Sequence, residues 1–142
     1  MKNFTKIMFP VLLVAFVLSS CAKKIMFNSS AVVPAVQGEV KVKKDGNSNY
    51  VIELDVKNLA DSKKLTPPKE TYVVWIETNN NGTKNIGQIN SSSGLLSSAL
   101  KASLKAVSSF RPRAVFITAE DNADMQYPGG TVVLRTDNFD VK

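Results

Sequence analysis

The sequence predicts an all-β protein whose domain is an immunoglobulin-like antiparallel β-sandwich of about seven strands. Short apolar runs recur along the chain, and several of them alternate with polar residues at a period of two, as half-buried strands do. Clusters of Gly, Asn, Asp, Ser and Pro separate these runs, as turns between strands do. A chain of 142 residues is long enough for one such domain with a modest core.

The first 20 residues have the parts of a bacterial secretory leader. Lys2 and Lys6 give a positive start, and an apolar run follows over residues 7–18. A permanent membrane-spanning helix needs about 20 apolar residues, so this run is too short for one. The sequence therefore predicts a signal peptide over residues 1–20.

The string Leu18-Ser19-Ser20-Cys21 resembles a bacterial lipobox, in which the cysteine thiol accepts diacylglycerol. An ordinary leader that ends near a cysteine is the alternative. Each acyl methylene in a bilayer adds roughly 0.8 kcal/mol, so two or more chains anchor a protein stably. We therefore expect a membrane-anchored lipoprotein with its lipid on Cys21. Ala22 follows, where there is no Asp, and this resembles lipoproteins that are passed to the outer membrane.

The formal charge is +6, and +4 remains when the two leader lysines are removed. The remaining basic residues are scattered and form no stripe interleaved with aromatic residues, so nucleic acid is not an expected partner. Attraction to an anionic membrane surface and simple solvation of charged strand edges both remain open.

Small and polar residues dominate the segment after the leader, and we expect the lipidated Cys and a tether over residues 21–37. The β-sandwich domain is then expected over residues 38–142. Alternating runs at 39–44 and 50–56 enclose a turn-rich segment and predict a β-hairpin.

Residues 58–70, with Pro67-Pro68, are expected to form a loop. Residues 71–78 are apolar on both faces, which is typical of a central strand. An Asn-Gly turn then leads to a return strand at 85–89. Two further strands are predicted at 114–119 and 131–136.

Residues 95–107 fit two patterns. The leucines at 96, 100 and 104 have helical spacing, but they also share the even positions that one face of a strand would occupy. Because the rest of the domain is predicted to be β, we favour a strand from about Ala99 to Val107.

Tyr72 and Trp75 are three residues apart, so they should point to opposite faces of their strand. We expect both of these aromatic side chains to be packed in the interior, and an aromatic platform for a ligand is the alternative.

Two patterns in the second half of the chain resemble one family. The first is Tyr-x-x-Trp-hydrophobic, then Gly and Gly-x-hydrophobic, at Tyr72, Trp75, Ile76, Gly82, Gly87 and Ile89. The second is Thr-x-Glu, then Pro-x-Gly-x-Val-Val-Leu, at Thr118, Glu120, Pro128, Gly130, Val132, Val133 and Leu134. Both resemble the extracytoplasmic domain of anti-sigma-K factors, over residues 71–134.

Asp121 stands where that family usually has proline, and Ala123 and Asp124 stand where it has two glycines. Anti-sigma factors of the family also carry a cytoplasmic sigma-binding segment and a transmembrane helix, and this sequence shows neither. The resemblance therefore implies a β-sandwich and an envelope-sensing or binding role, without sigma-factor inhibition.

The polar loop over residues 120–130 is the candidate partner-binding site, with Glu120, Asp121, Asp124 and Tyr127 as its residues. Loops on a rigid scaffold often carry recognition, and an aromatic side chain such as Tyr127 is hard to bury in a turn-rich loop. The three acids also offer oxygen ligands for Ca²⁺, although Asp and Asn are equally common as turn residues.

The chain has no histidine, which removes the commonest general base and metal ligand. We therefore expect no catalysis, no metal and no cofactor. A hydrolase built on the carboxylates of Glu77 and Glu120 is the enzymatic alternative. The favoured function is a lipid-anchored, non-catalytic module that binds an envelope protein or glycan, and a structural lipoprotein without a ligand is the alternative.

Overall fold

The computed structural model describes residues 21–90 and 100–142, which form two antiparallel sheets of four strands each. A short 3-10 helix, Ser62–Lys64, precedes the fourth strand. The strands are β1 Lys23–Met26, β2 Gln37–Lys44, β3 Tyr50–Lys57, β4 Thr71–Thr78, β5 Thr83–Ile89, β6 Lys101–Ser108, β7 Pro112–Glu120 and β8 Thr131–Arg135.

The first sheet has the strand order β1-β2-β3-β6, and the second has the order β5-β4-β7-β8. Consecutive strands pair antiparallel at β1–β2, β2–β3, β4–β5 and β7–β8, while β3 and β6 are neighbours across two crossovers. This is the strand arrangement of an immunoglobulin-like sandwich with one extra strand, β1, at the edge of the first sheet. The predicted β-sandwich is confirmed, with eight strands rather than about seven.

The core lies between the sheets and takes alternate residues from the strands that face each other. From β4, Tyr72, Val74 and Ile76 point into it. Trp75 lies on the outer face of the same strand, beside Phe116 of β7. Tyr72 and Trp75 therefore lie on opposite faces, and both are fully buried, as their spacing predicts.

The predicted strands are confirmed along the described chain. Residues 101–108 form β6, so the alternating pattern rather than the helical spacing describes this segment. β6 pairs with β3 over eight residue pairs, which gives its backbone N–H and C=O groups hydrogen-bond partners along this edge of the sheet. This pairing explains why the segment is a strand and not a helix. Residue 99, where the predicted strand begins, lies outside the described residues.

The prediction of a tether over residues 21–37 is wrong. Residues 23–26 form β1 and pair with β2 in four residue pairs. Phe27 forms an isolated bridge with Thr136, the residue that follows β8, and Val33 and Val36 are buried in the core. The domain therefore begins two residues after Cys21 rather than at residue 38. The predicted signal peptide lies outside the described residues.

The strand register places each turn at one of two ends of the sandwich. Only three residues separate Ser108, the end of β6, from Pro112, the start of β7, so these termini lie at the same end. β1 also begins at this end, beside the last residues of β2, and we name it the Cys21 end. The opposite end, about 30 Å away along β7, is the Glu120 end.

Candidate functional site

The loop between β7 and β8, residues 121–130, is held at its base by a buried carboxylate. Glu120 is 2 % exposed. Its Oε1 atom accepts hydrogen bonds from the backbone N–H groups of Gly129 and Gly130, at 3.1 and 3.0 Å. The hydroxyl of Thr118 donates a third hydrogen bond to it, at 2.6 Å. The carboxylate therefore joins both ends of the loop, and its burial is compensated by donors.

The loop also covers an apolar cluster on the outer face of the second sheet. Trp75 and Phe116 are direct neighbours on β4 and β7, and their rings stack with centroids 6.3 Å apart. Met125 of the loop packs against this cluster. Because the loop lies on it, the indole ring of Trp75 is excluded from water on a sheet face that would otherwise be exposed.

A β-bulge in β5 provides a second attachment. The register of β4 and β5 shifts between Val74 and Trp75, so Asn85 lies opposite Trp75. The amide nitrogen of Asn85 donates to the carbonyl oxygens of Ala123 and Met125, at 2.9 and 3.0 Å. The middle of the loop is thereby fixed to β5, just as its ends are fixed to Glu120.

What the fixed loop presents to solvent is polar, with one exposed aromatic ring. Tyr127 is 79 % exposed, as the sequence predicts for this position. A groove of about 570 Å³ lies between the loop and β5. The side chains that line it and can donate or accept hydrogen bonds include Lys84, Asn85, Gln88, Asp124, Gln126 and Tyr127. Such a lining fits a polar ligand that also stacks on an aromatic ring.

The predicted site residues do not form one surface. Glu120 is buried and supports the loop, so its carboxylate does not reach a partner. Asp121 is exposed, and its carboxylate pairs with Lys69 at 2.8 Å. Asp124 and Tyr127 line the groove together.

The three acids proposed as calcium ligands are likewise separated in role. Glu120 Oε1 is occupied by three donors, and Asp121 faces Lys69. Across residues 21–90 and 100–142, no three His, Cys, Asp or Glu side chains are grouped closely enough to hold a metal ion.

Glu77 and Glu120 do not form a pair that could flank a scissile bond. Glu77 pairs in register with Ala114, six residues before Glu120 on β7, which places the two glutamates about 20 Å apart along the sheet. Hydrolases that use two carboxylates hold them about 5–9.5 Å apart. Glu77 instead forms ion pairs with Arg113 and Arg135, at 3.1 and 2.6 Å.

Sequence reasoning missed Asn85, which belongs to the groove. The position of Asn85 opposite Trp75 depends on the bulge, since a regular register would place a different residue there. The sequence alone does not reveal this bulge. A larger pocket of about 690 Å³ is bordered by Asn90 and Lys101, which lie on either side of residues 91–99, and we place no site there.

The second pattern that resembles anti-sigma-K domains coincides with the support of the loop, because Thr118, Glu120 and Gly130 are joined by hydrogen bonds. No family model, curated protein or solved structure matches this chain. The resemblance stays a prediction. In the described part of the chain, no helix is long and apolar enough to cross a membrane.

Proposed function

We propose that the chain is a lipid-anchored envelope protein whose β-sandwich acts as a non-catalytic binding module. Its partner is an envelope protein or glycan, which it contacts through the β7–β8 loop and the adjoining groove. The observation that carries this proposal is Tyr127, a mostly exposed aromatic side chain on a loop that is fastened at both ends and in the middle.

The rigidity of the loop supports recognition for a thermodynamic reason. Ordering a flexible loop on binding costs conformational entropy, and a loop that is already fixed avoids most of that loss. A tyrosine has few rotatable bonds, and its ring gives a large contact area at a small entropic cost. The polar side chains of the groove, such as Gln126 and Asp124, can then orient the ligand.

The position of Cys21 supports the anchor. It is exposed, and one residue separates it from β1 at the end of the sandwich opposite Glu120. A lipid there would hold the domain at the membrane and leave the loop and groove turned toward the envelope. The resemblance to anti-sigma-K extracytoplasmic domains agrees with a binding role in that compartment.

In-cell photo-crosslinking tests the binding role. A photo-reactive residue at Gln126, in the groove, should capture one dominant protein or glycan, which mass spectrometry identifies. The same residue at Asn47, an exposed turn position at the Cys21 end, serves as the matched control. Adding Tyr127→Ala should remove the Gln126 adduct without unfolding the domain. A smear of species that Tyr127→Ala leaves unchanged would overturn the proposal in favour of a purely structural lipoprotein.

Intact-mass measurement tests the anchor. The protein extracted from cell membranes should lack residues 1–20 and carry a diacylglycerol on Cys21. The Cys21→Ser variant should keep its leader or leave the membrane fraction. Turnover of an envelope polymer by the purified protein would contradict the non-catalytic role.

A further inference from the structure

The Cys21 end carries a concentration of lysines. Around Cys21, a shallow pocket of about 220 Å³ is lined by four of them, with Asp140 as the single acid in its wall. The lysines of this surface, which we name the basic face, are Lys23, Lys43, Lys44 and Lys142.

Three separate segments build the basic face. Lys23 begins β1, and its register neighbour on β2 is Val42, so the final lysines of β2 lie next to the start of β1. The segment after β8 returns to the same place, where Asp140 accepts a 2.8 Å hydrogen bond from Lys23 Nζ through its backbone oxygen. The cluster is therefore a product of the fold rather than of one run in the sequence.

The residues that line this pocket include one acid, Asp140, and its carboxylate is paired with Arg111. At the Glu120 end, Lys63 pairs with Glu70 and Lys69 pairs with Asp121. Four lysines, with one acid in the same pocket, therefore lie beside Cys21, the only cysteine.

The absence of a tether determines where the basic face would lie. One residue separates Cys21 from β1, and an extended residue spans about 3.3 Å. If Cys21 carries the lipid, the lysines lie within a few ångströms of the headgroups. That distance is shorter than the Debye length of about 8 Å at physiological salt, so the attraction is not screened away.

We propose that the basic face docks on the membrane that holds the lipid and binds the phosphate groups of its anionic phospholipids. This inference rests on the proposed lipidation of Cys21. Docking would fix the sandwich upright, with the β7–β8 loop about 30 Å from the bilayer at the far end of β7. The lysines therefore orient the binding loop as well as adding to the strength of the anchor.

The test uses the lipidated protein purified from cells and reconstituted into vesicles. Asn47→Cys places a fluorescent label in the turn beside the basic face, and Asn122→Cys places the same label at the Glu120 end. Cys21 is the only native cysteine, so a lipid on its thiol leaves the new one uniquely reactive. Quenching by a nitroxide headgroup lipid then reports how close each label lies to the bilayer, in phosphatidylcholine with or without phosphatidylglycerol.

Quenching of the Asn47 label should increase when phosphatidylglycerol is present, and quenching of the Asn122 label should not. A double variant with Lys43→Gln and Lys44→Gln should bind anionic vesicles through this face about 25-fold more weakly, since each lysine near an anionic surface contributes about fivefold to the affinity. The pair Lys63→Gln and Lys64→Gln removes the same charge at the other end and should have no effect. Salt at about 1 M, where the Debye length is about 3 Å, should weaken docking as the Lys43 and Lys44 substitutions do.

Equal quenching of the Asn47 label in neutral and anionic vesicles would overturn the inference while leaving the lipid anchor intact. The same holds if the Lys43 and Lys44 substitutions change nothing. A protein that enters neither kind of vesicle would overturn the lipidation of Cys21, and the docking inference with it.

Discussion

The indole nitrogen of Trp75 donates a 2.8 Å hydrogen bond to the hydroxyl oxygen of Thr118. The same hydroxyl donates to the carboxylate of Glu120, which binds the two glycines at the end of the loop. One threonine side chain thus connects the aromatic cluster of the second sheet with the support of the proposed recognition loop. Both groups are buried, so neither hydrogen bond can be replaced freely by water.

Thr118→Val should destabilise the domain by about 1–3 kcal/mol, because the isosteric change leaves the buried indole N–H without its acceptor. Urea unfolding followed by the fluorescence of Trp75, the only tryptophan, measures this directly. Thr131→Val, at an exposed position of β8, is the control and should stay within about 0.5 kcal/mol of the parent. Equal stability of the Thr118 variant and the parent would contradict the role of this hydroxyl.

Glu120→Ala should cost about 3 kcal/mol or more, because three donors that are removed from bulk water lose their acceptor. Glu120→Gln keeps one acceptor oxygen and should cost less. In both variants the amide protons of Gly129 and Gly130 should exchange faster, which NMR-detected hydrogen exchange measures. Asp121→Ala removes an exposed carboxylate at the same loop and should leave exchange at both glycines unchanged.

Gly130→Ala and Gly129→Ala form a matched pair. A Cβ atom on Gly130 would lie 1.8 Å from the backbone oxygen of Ala119, so the loop or β7 would have to move. A Cβ atom on Gly129 would lie 3.3 Å from the flexible end of Met125 and 3.7 Å from Glu120 Oε2, and it would approach no backbone atom this closely. Thermal unfolding should therefore show a large loss of stability for the first variant and little change for the second. Similar midpoints for the two would show that the contact with Ala119 is easily relieved.

The environment of Tyr72 predicts that the domain loses stability at alkaline pH. Burial, with a further contribution from the nearby charge of Asp61, raises the pKa of Tyr72 to about 12 from an ordinary value of 10.0. Its folded-state pKa lies above that of the unfolded chain, so the protonated hydroxyl of Tyr72 favours the folded state. This contribution to the free energy of unfolding is complete below about pH 10 and is lost as pH rises through about 12.

Tyr72→Phe should flatten the pH dependence of the free energy of unfolding between about pH 10 and 12. At neutral pH the variant should already be less stable, because the 2.8 Å hydrogen bond from the Tyr72 hydroxyl to the backbone oxygen of Ala60 is lost. Urea unfolding at a series of pH values separates the two effects. An unchanged slope in Tyr72→Phe would argue against this assignment.

Strong periodicity made most of the fold predictable. Residues 71–78, apolar on both faces, form the central strand with the bounds that the sequence predicts. β1 was missed for the opposite reason. Its residues are Lys-Lys-Ile-Met, of which only Ile25 is partly buried, so no alternation marks this edge strand. β1 forms because it pairs with β2, and such a contact between separate segments cannot be predicted from the local composition.

The candidate loop was located from the sequence, but the roles of its residues were not. A glutamate at the end of a strand is usually solvated. The burial of Glu120 depends on two backbone N–H groups, nine and ten residues later, that close on its carboxylate. The exposure of Tyr127 was predictable because it depends on local turn chemistry alone.

The pairing of β1 has a mechanical consequence. β1 runs from Cys21 toward the Glu120 end and is bonded along its length to β2. Tension between a lipid at Cys21 and a partner held at the β7–β8 loop would pull β1 parallel to its own axis. Its four residue pairs would then bear the load together, in shear, instead of opening one at a time like a zipper. A short edge strand in that geometry would let the domain transmit force between the proposed membrane anchor and the proposed partner while it stays folded.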